Sequence, residues 1–283
     1  MIKRVGVLYH PKRADALAVA RQTAEILGRH GVACSLLPAW EEEAIRAALP
    51  DWDMVVTCGG DGTILRTTRL AAPLGVPQVG VNLGKLGFLS ELQPAEVSER
   101  LPAYLSGVYS IEERAMLRAT LHVASEAPAQ REAGSSEHQF DALNEVLVAR
   151  GALPRVITVK VAIDGVEYHT FSGDGLIVAT ATGSTAYSMA ASGPVLTPTL
   201  RNMILNPVCP HSTRATKLVL PPDACVTVEI VAGSPAILSI DGQVDLALGN
   251  GDTIRVGLSP HVAKFIRARP LEHFYGVIGR TLR

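Results

Sequence analysis

Asp61 stands among the three glycines of GGDGT (Gly59 to Thr63), where VVTCGGDGTILRTTRLA passes from an apolar run into a periodic stretch. Glycine turns between a strand and a helix receive anions, because a ligand can approach the bare backbone and the N–H groups at the helix start point outward. A carboxylate there would repel a phosphate unless it has a task of its own, such as accepting a proton or aligning a hydroxyl. GVNLGKLGFL (Gly80 to Leu89) is a second glycine-rich loop after a strand-like run. ATATGSTAYSMAASGP (Ala179 to Pro194) runs through Gly183 into a helical stretch of small residues that Gly193 and Pro194 stop. Its first turn offers free N–H groups, hydroxyls and little bulk. Asn144–Glu145 and Asp241-Gly242-Gln243 complete the set, although Asp-Gly alone is the usual type I′ hairpin pair.

Each stretch also has a bland reading: a tight turn with Asp61 near a helix cap, a connecting loop, a small-residue helix packed on a sheet. Neither G-x-x-x-x-G-K-[ST] nor G-x-G-x-x-G is present, and Ser184 is not in a G-x-S-x-G elbow.

The elements that must position these residues fall into two textures. Up to about residue 111, strand-like runs (RVGVLYH, VACSLLP, DMVVTC, PQVGVN) alternate with helical patterns (ADALAVARQTAEILGRHG, EEEAIRAALP, TILRTTRLAAPLG). Such alternation predicts an α/β domain with a Rossmann-like parallel sheet covered on both faces, over 1–111. From 112 to 268 short strand-like runs follow one another with turn signals between them, which predicts an all-β, sandwich-like domain. Ser125 to Gln139, polar and rich in small residues, reads as an exposed loop. Residues 269–283 read as a helix or tail that packs on the β domain or returns to the first.

Length and composition bound the class. The chain has 283 residues, 47% of them hydrophobic, enough for a real core, and 26 basic against 27 acidic residues give no global pull toward nucleic acid or a membrane. Cys34, Cys58, Cys209 and Cys225 lack the spacing of zinc ligands and read as reduced thiols. No long apolar run and no secretory signal pattern is visible, so the expected location is the cytoplasm.

The order of the motifs and the α/β-then-β layout resemble the NAD kinases, across nearly the whole chain. GGDGT, GVNLGKLGFL, Asn144–Glu145, DGLIVATATGSTAYSMAASGPVLTP (174–198) and DGQ are similar to that family's motifs, and TGSTAYS is the most specific of them. The resemblance implies transfer of the γ-phosphoryl of ATP or polyphosphate to the 2′-hydroxyl of the adenosine ribose of NAD, with Mg²⁺ carried on the ATP and no metal cage of protein ligands. Asp61 would then face the acceptor hydroxyl. Gly59, Gly60, Gly62 and Thr63 would cradle the donor phosphate, with Arg66 as its charge partner one helical turn on. Asn144 and Glu145 would hold ribose hydroxyls and Asp174 the nicotinamide side. Thr185, Ala186, Tyr187 and Ser188, followed by Met189 and Ala190, would line the adenine pocket. Phe88 would be a stacking wall, Arg155 a phosphate contact and Gln243 a further polar contact. The family also implies a homodimer or homotetramer.

Two departures stand out: Ala181 replaces a usual proline before TGS, and an arginine often found just before the aspartate at 174 has no counterpart. The competing readings are a non-catalytic dinucleotide-binding module, which would not need Asp61, and a lipid or sugar kinase of the same broad fold, which shares GGDG but not TGSTAYS with Asn144–Glu145.

Overall fold

The computed structural model describes residues 2–84, 87–124, 137–151, 156–211, 215–233, 235–270 and 272–281. The chain forms two compact units, Met1–Glu113 with His261–Arg283, and Arg114–Pro260.

In the first unit β1 (Arg4–Tyr9), α1 (Ala14–Arg29), β2 (Ala33–Pro38), α2 (Glu42–Ala48), β3 (Met54–Gly59), α3 (Asp61–Ala71), β4 (Gln78–Asn82) and α4 (Val97–Leu105) follow in order. The strands pair in parallel in the order β2-β1-β3-β4, and Phe265 extends the sheet beside Gln78. All six residues of β3 are buried because both faces of the sheet are covered. Met54, Val56 and Cys58 pack with α1 and α4 through Ala20, Leu27, Leu101 and Tyr104, while Val55 joins Ile45, Trp52 and Leu70 on the other face. The chain leaves β1 toward β2 and leaves β3 toward β4, so the strand order reverses between β1 and β3. A reversal of this kind opens a crevice at the carboxyl ends of the strands, which is where open α/β sheets bind ligands. Gly59 and Gly60 lie at that end of β3.

Helix α4 escapes the sequence reading because Pro102 lies inside it and proline argues against a helix interior. The expected tail contains a helix at His273–Thr281, within the first unit.

The second unit is built from β5 (Ser110–His122) from Arg114 on, β6 (Glu137–Ala142), β7 (Glu145–Arg150), β8 (Ile157–Ile163), β9 (Val166–Gly173), β10 (Gly175–Ala179), β11 (Met203–Val208), β12 (Leu218–Leu220), β13 (Val226–Gly233), β14 (Ala236–Ile240), β15 (Val244–Leu248) and β16 (Thr253–Arg267) as far as Pro260. One antiparallel sheet contains β16-β13-β8-β9, and the other runs β12-β11-β10-β7-β14-β15. Their inward residues form one core, with Val159, Val161, Val226 and Val228 from the first sheet meeting Val146, Val148, Val178 and Leu238 from the second. The unit is a β-sandwich.

Two expectations change. The short strand-like runs expected up to residue 268 end in one long strand: β16 pairs with β13 at Val256 and with β4 at Phe265. The chain therefore re-enters the first unit at His261 and not after 268. The loop read at Ser125 to Gln139 is shorter, since Glu137–Gln139 begin β6; residues 125–136 lie outside the described ones.

Candidate functional site

In the first unit the site is made by two glycine loops. Gly60 caps α3 in an extended conformation, and its carbonyl accepts the N–H groups of Thr63 and Ile64 at 2.9 and 3.2 Å. A Cβ at Gly59 would press on the Thr63 side chain, whereas at Gly60 and Gly62 it would meet nothing within 4 Å. The backbone at those two positions is therefore bare toward open space. Thr63 turns its buried side chain inward and gives its N–H to Gly60.

Asp61 is the first residue of α3 and does not cap its own helix. Its Oδ2 accepts the Phe88 N–H at 3.2 Å. A Cβ at Gly87 would overlap both carboxylate oxygens of Asp61, so the second loop lies directly over the acid. That loop is held from behind: the Gly84 N–H donates to Asn82 Oδ1 at 2.9 Å and the Gly87 N–H to Ser90 Oγ at 3.2 Å. Buried Arg267 donates to the carbonyls of Leu89 and Ser90 at 3.3 and 3.1 Å and pairs with Glu91 and Glu112. A carboxylate in the first turn of a helix is favoured by the helix dipole. Pinned by backbone and placed at the switch point, Asp61 can take a proton from a hydroxyl brought against it.

One expectation in this unit needs correction, and a second residue takes a further part. Arg66 does not turn toward the glycine loop: it pairs with Glu42 at 2.6 Å and lies over the Trp40 ring at 5.0 Å, with Arg69 on the same Glu42 oxygen. Phe88 contributes its backbone N–H to the site, while its ring meets the edge of Phe274.

In the second unit, Asn144 and Glu145 lie at the start of β7, next to the turn between β14 and β15. The Asp241 carboxylate accepts the N–H groups of Leu143, Asn144 and Glu145 at 2.8, 2.7 and 3.0 Å. From the opposite side the Thr180 N–H reaches the Asn144 carbonyl at 2.9 Å, and Thr180 Oγ1 donates to the Leu143 carbonyl at 2.6 Å. Gly183 is pressed so closely on that Asn144 carbonyl that a side chain has no room. Glu145 is buried, and its carboxyl is pushed up to about 8, first by burial and then by the Asp241 charge, against the opposing hydrogen bond from the Tyr187 N–H. A protonated Glu145 can both donate to and accept from a hydroxyl.

The small-residue stretch is not one helix. A 3₁₀ turn at Gly183–Thr185 is separated from the four-residue α5 (Tyr187–Ala190) by extended Ala186. Ser188 is buried, with its carbonyl and Oγ bonded by Asn206 Nδ2 at 3.0 and 3.2 Å, and Ser184 Oγ ties Ala181 to Leu196. Thr185 donates to the Thr182 carbonyl. Tyr187 and Ala190 are exposed and line a cavity of about 470 Å³ with Ala191, Pro207, Cys209 and Lys217, and Met189 is half-buried beside them.

Asp174 has an arginine after all, from a neighbouring strand: Arg150 Nε donates to its Oδ1 at 2.8 Å. The Gln243 N–H closes the 240–243 turn on the Ile240 carbonyl. Arg155 lies outside the described residues. Asp241, Arg150, Thr180 and Gly87 were not read as site residues. Asp241 was masked by its turn signal, which is also real, since Asp241 and Gly242 both have positive φ. Among the described residues no three His, Cys, Asp or Glu side chains form a group that could hold a metal ion.

A helix-covered parallel sheet carrying a glycine-held carboxylate at its switch point, followed by a β-sandwich with a fixed Asn-Glu pair, defines a two-domain nucleotide-handling enzyme. Residues 5–109 match the family model of the ATP-NAD kinase N-terminal domain and residues 143–268 that of the C-terminal domain. An NAD kinase of Dehalococcoides mccartyi is 39% identical over the whole chain and 97% of its own length, and one of Chloroflexus aurantiacus is 36% identical over the whole chain and 99% of its own. Among solved structures, the NAD kinase of Archaeoglobus fulgidus in complex with ATP superposes with TM-score 0.78 at 27% identity, covering 98% of this chain and 97% of that one. Yeast NADH kinase complexed with NADH shares the fold, with TM-score 0.86 at 23% identity over 99% of this chain and 87% of that one. The chain belongs to the NAD kinase family.

Proposed function

We propose that this enzyme phosphorylates the 2′-hydroxyl of the adenosine ribose of NAD with ATP. The observation that carries the reading is the Asp61 carboxylate, fixed by the Phe88 N–H between two glycine loops at the carboxyl end of β3. Gly60 and Gly62 leave room for donor phosphate against the backbone, beside N–H groups at the start of α3. Asn144 and Glu145 take the ribose hydroxyls, Tyr187 and its neighbours the adenine, and Asp174 with Arg150 the nicotinamide side. In the transfer, the 2′-oxygen forms a bond to the γ-phosphorus while the bond from that phosphorus to the β,γ-bridging oxygen breaks. ADP leaves with the electron pair and Asp61 takes the hydroxyl proton.

Mg²⁺ carried on ATP supplies neutralisation of phosphate charge. The bare backbone at Gly60 and Gly62 leaves room for an ion whose ligands would be phosphate and water oxygens, with Asp61 kept for the proton. The remaining parts of the reading are a cytoplasmic location and a homodimer or homotetramer, for which a light-scattering mass is the direct check. Among the described residues no helix is long and apolar enough to cross a membrane.

The test is NADP formation from NAD, ATP and Mg²⁺ by the wild type and Asp61→Asn. We expect kcat to fall by about a hundredfold or more in a variant that stays folded, the usual cost of losing a general base. Equal rates would remove Asp61 from the chemistry, and absence of NADP from the wild type would favour a binding module.

A further inference from the structure

Three consecutive backbone N–H groups, of Leu143, Asn144 and Glu145, converge on one side-chain carboxylate, that of Asp241. The Asp241 N–H returns a bond to the Glu145 carbonyl at 3.1 Å. The arrangement follows from register, because β14 pairs Ile240 with Val146 and so delivers the turn residue beside the start of β7. A type I′ turn asks only for positive φ at its first central residue, which asparagine and glycine supply as well as aspartate. The carboxylate therefore does something the turn does not require. Successive N–H groups on an anion form a nest, and charge-assisted bonds of this kind are about twice as strong as neutral ones.

We propose that Asp241 is a positioning residue of the acceptor site: its carboxylate fixes the backbone of Leu143 to Glu145 and so sets the direction in which Asn144 and Glu145 meet the ribose. This rests on the reading of those two side chains as ribose ligands. Its charge acts as well. Burial first, and then the negative charge of the Asp241 carboxylate, push the Glu145 carboxyl up toward its protonated form. A protonated carboxyl can donate a hydrogen bond to a hydroxyl oxygen.

The variants are Asp241→Asn and Asp241→Gly. Both residues tolerate the turn; Asn keeps an acceptor and loses the charge, and Gly loses both. KM for NAD is expected to rise about tenfold in D241N and further in D241G, with kcat much less affected, in line with the loss of hydrogen bonds to a charged group. Amide exchange at Leu143, Asn144 and Glu145 should accelerate in both. The Glu145 titration, followed by carboxyl ¹³C NMR without substrate, should move to lower pH in both variants, since each removes the repelling charge; Asp241→Glu, which keeps the charge but displaces the acceptor, should accelerate the amide exchange while leaving the titration high, separating charge from anchoring.

Folded variants with unchanged exchange, an unchanged Glu145 titration and unchanged KM would overturn the proposal. Exchange and titration are read on the substrate-free protein. Failure of the wild type to bind or phosphorylate NAD would thus defeat the ribose reading, while these two measurements still decide whether Asp241 fixes the segment and biases Glu145.

Discussion

Gly87 has no room for a side chain, because its Cβ would sit on the Asp61 carboxylate. Alanine there must displace either the acid or the loop that donates the Phe88 N–H. Since a shift of about 1 Å at a reacting group can cost about a hundredfold in rate, G87A should lose activity on that scale while its melting temperature changes little. NADP formation and a thermal melt check both halves. Glu145 makes a different residue-scale prediction, about pH. Its folded carboxyl lies near 8, against an ordinary 4.5. Between those values the native state binds more protons than the unfolded one, so stability falls as pH rises through the window, by at most about 1.4 kcal/mol per pH unit, and levels off above it. Glu145→Gln should flatten that part of the curve, as denaturant titrations at pH 5, 7 and 9 would record.

At the scale of elements, the loop over Asp61 is held by the end of β16. Arg267 is 8% exposed and Glu91 3%. Glu91 also accepts the N–H groups of Ala268 and Arg269 at 3.0 and 3.1 Å. Removing Glu91 leaves Arg267 its Glu112 partner at 3.1 Å, so the loss is that of charge-assisted hydrogen bonds to Arg267 and to two backbone N–H groups, a cost of about 1.5–3 kcal/mol. Glu91→Ala should therefore lower stability by an amount of that order, and an Asp61 rate defect should accompany it because Arg267 also holds the carbonyls of Leu89 and Ser90. Chemical denaturation of the variant against the wild type tests this. The same network explains a limit of the sequence reading. The glycine turns were legible from local chemistry, whereas the roles of Asp61 and of the Asn-Glu pair entered through the family resemblance and not through any local signal. Arg267, Glu91 and Arg150 were not legible, since each acts on a partner supplied by tertiary pairing. Likewise β16 passes through Pro260 where pattern suggests a break, and α4 contains Pro102, because packing overrides local preference. The helix expected from STAYSMAASG is divided at Ala186, where the segment follows hydrogen bonds from Thr185 Oγ1 to the Thr182 carbonyl, from the Leu196 N–H to Ser184 Oγ and from Asn206 Nδ2 to the Ser188 carbonyl.

For the whole molecule, the two units carry different parts of the proposed reaction, with the proposed base in one and the ribose and adenine groups in the other. Each has its own core, one between α1, α4 and the parallel sheet, the other between the two antiparallel sheets. Binding and chemistry should therefore separate by mutation. A ligand that binds only the folded state stabilises it by about 2.7 kcal/mol at a hundred times its Kd. Asp61→Asn, which leaves Asn144, Glu145 and Tyr187 untouched, should keep most of the thermal shift that NAD produces in the wild type while losing turnover. Asn144→Ala should show the reverse emphasis, with a weakened shift at the same NAD concentration and a KM that rises more than kcat falls. Differential scanning fluorimetry with NAD, run beside initial rates, measures both. If D61N lost the NAD shift entirely, Asp61 would be a principal binding group for the acceptor, and the assignment of ribose recognition to the β-sandwich would fail.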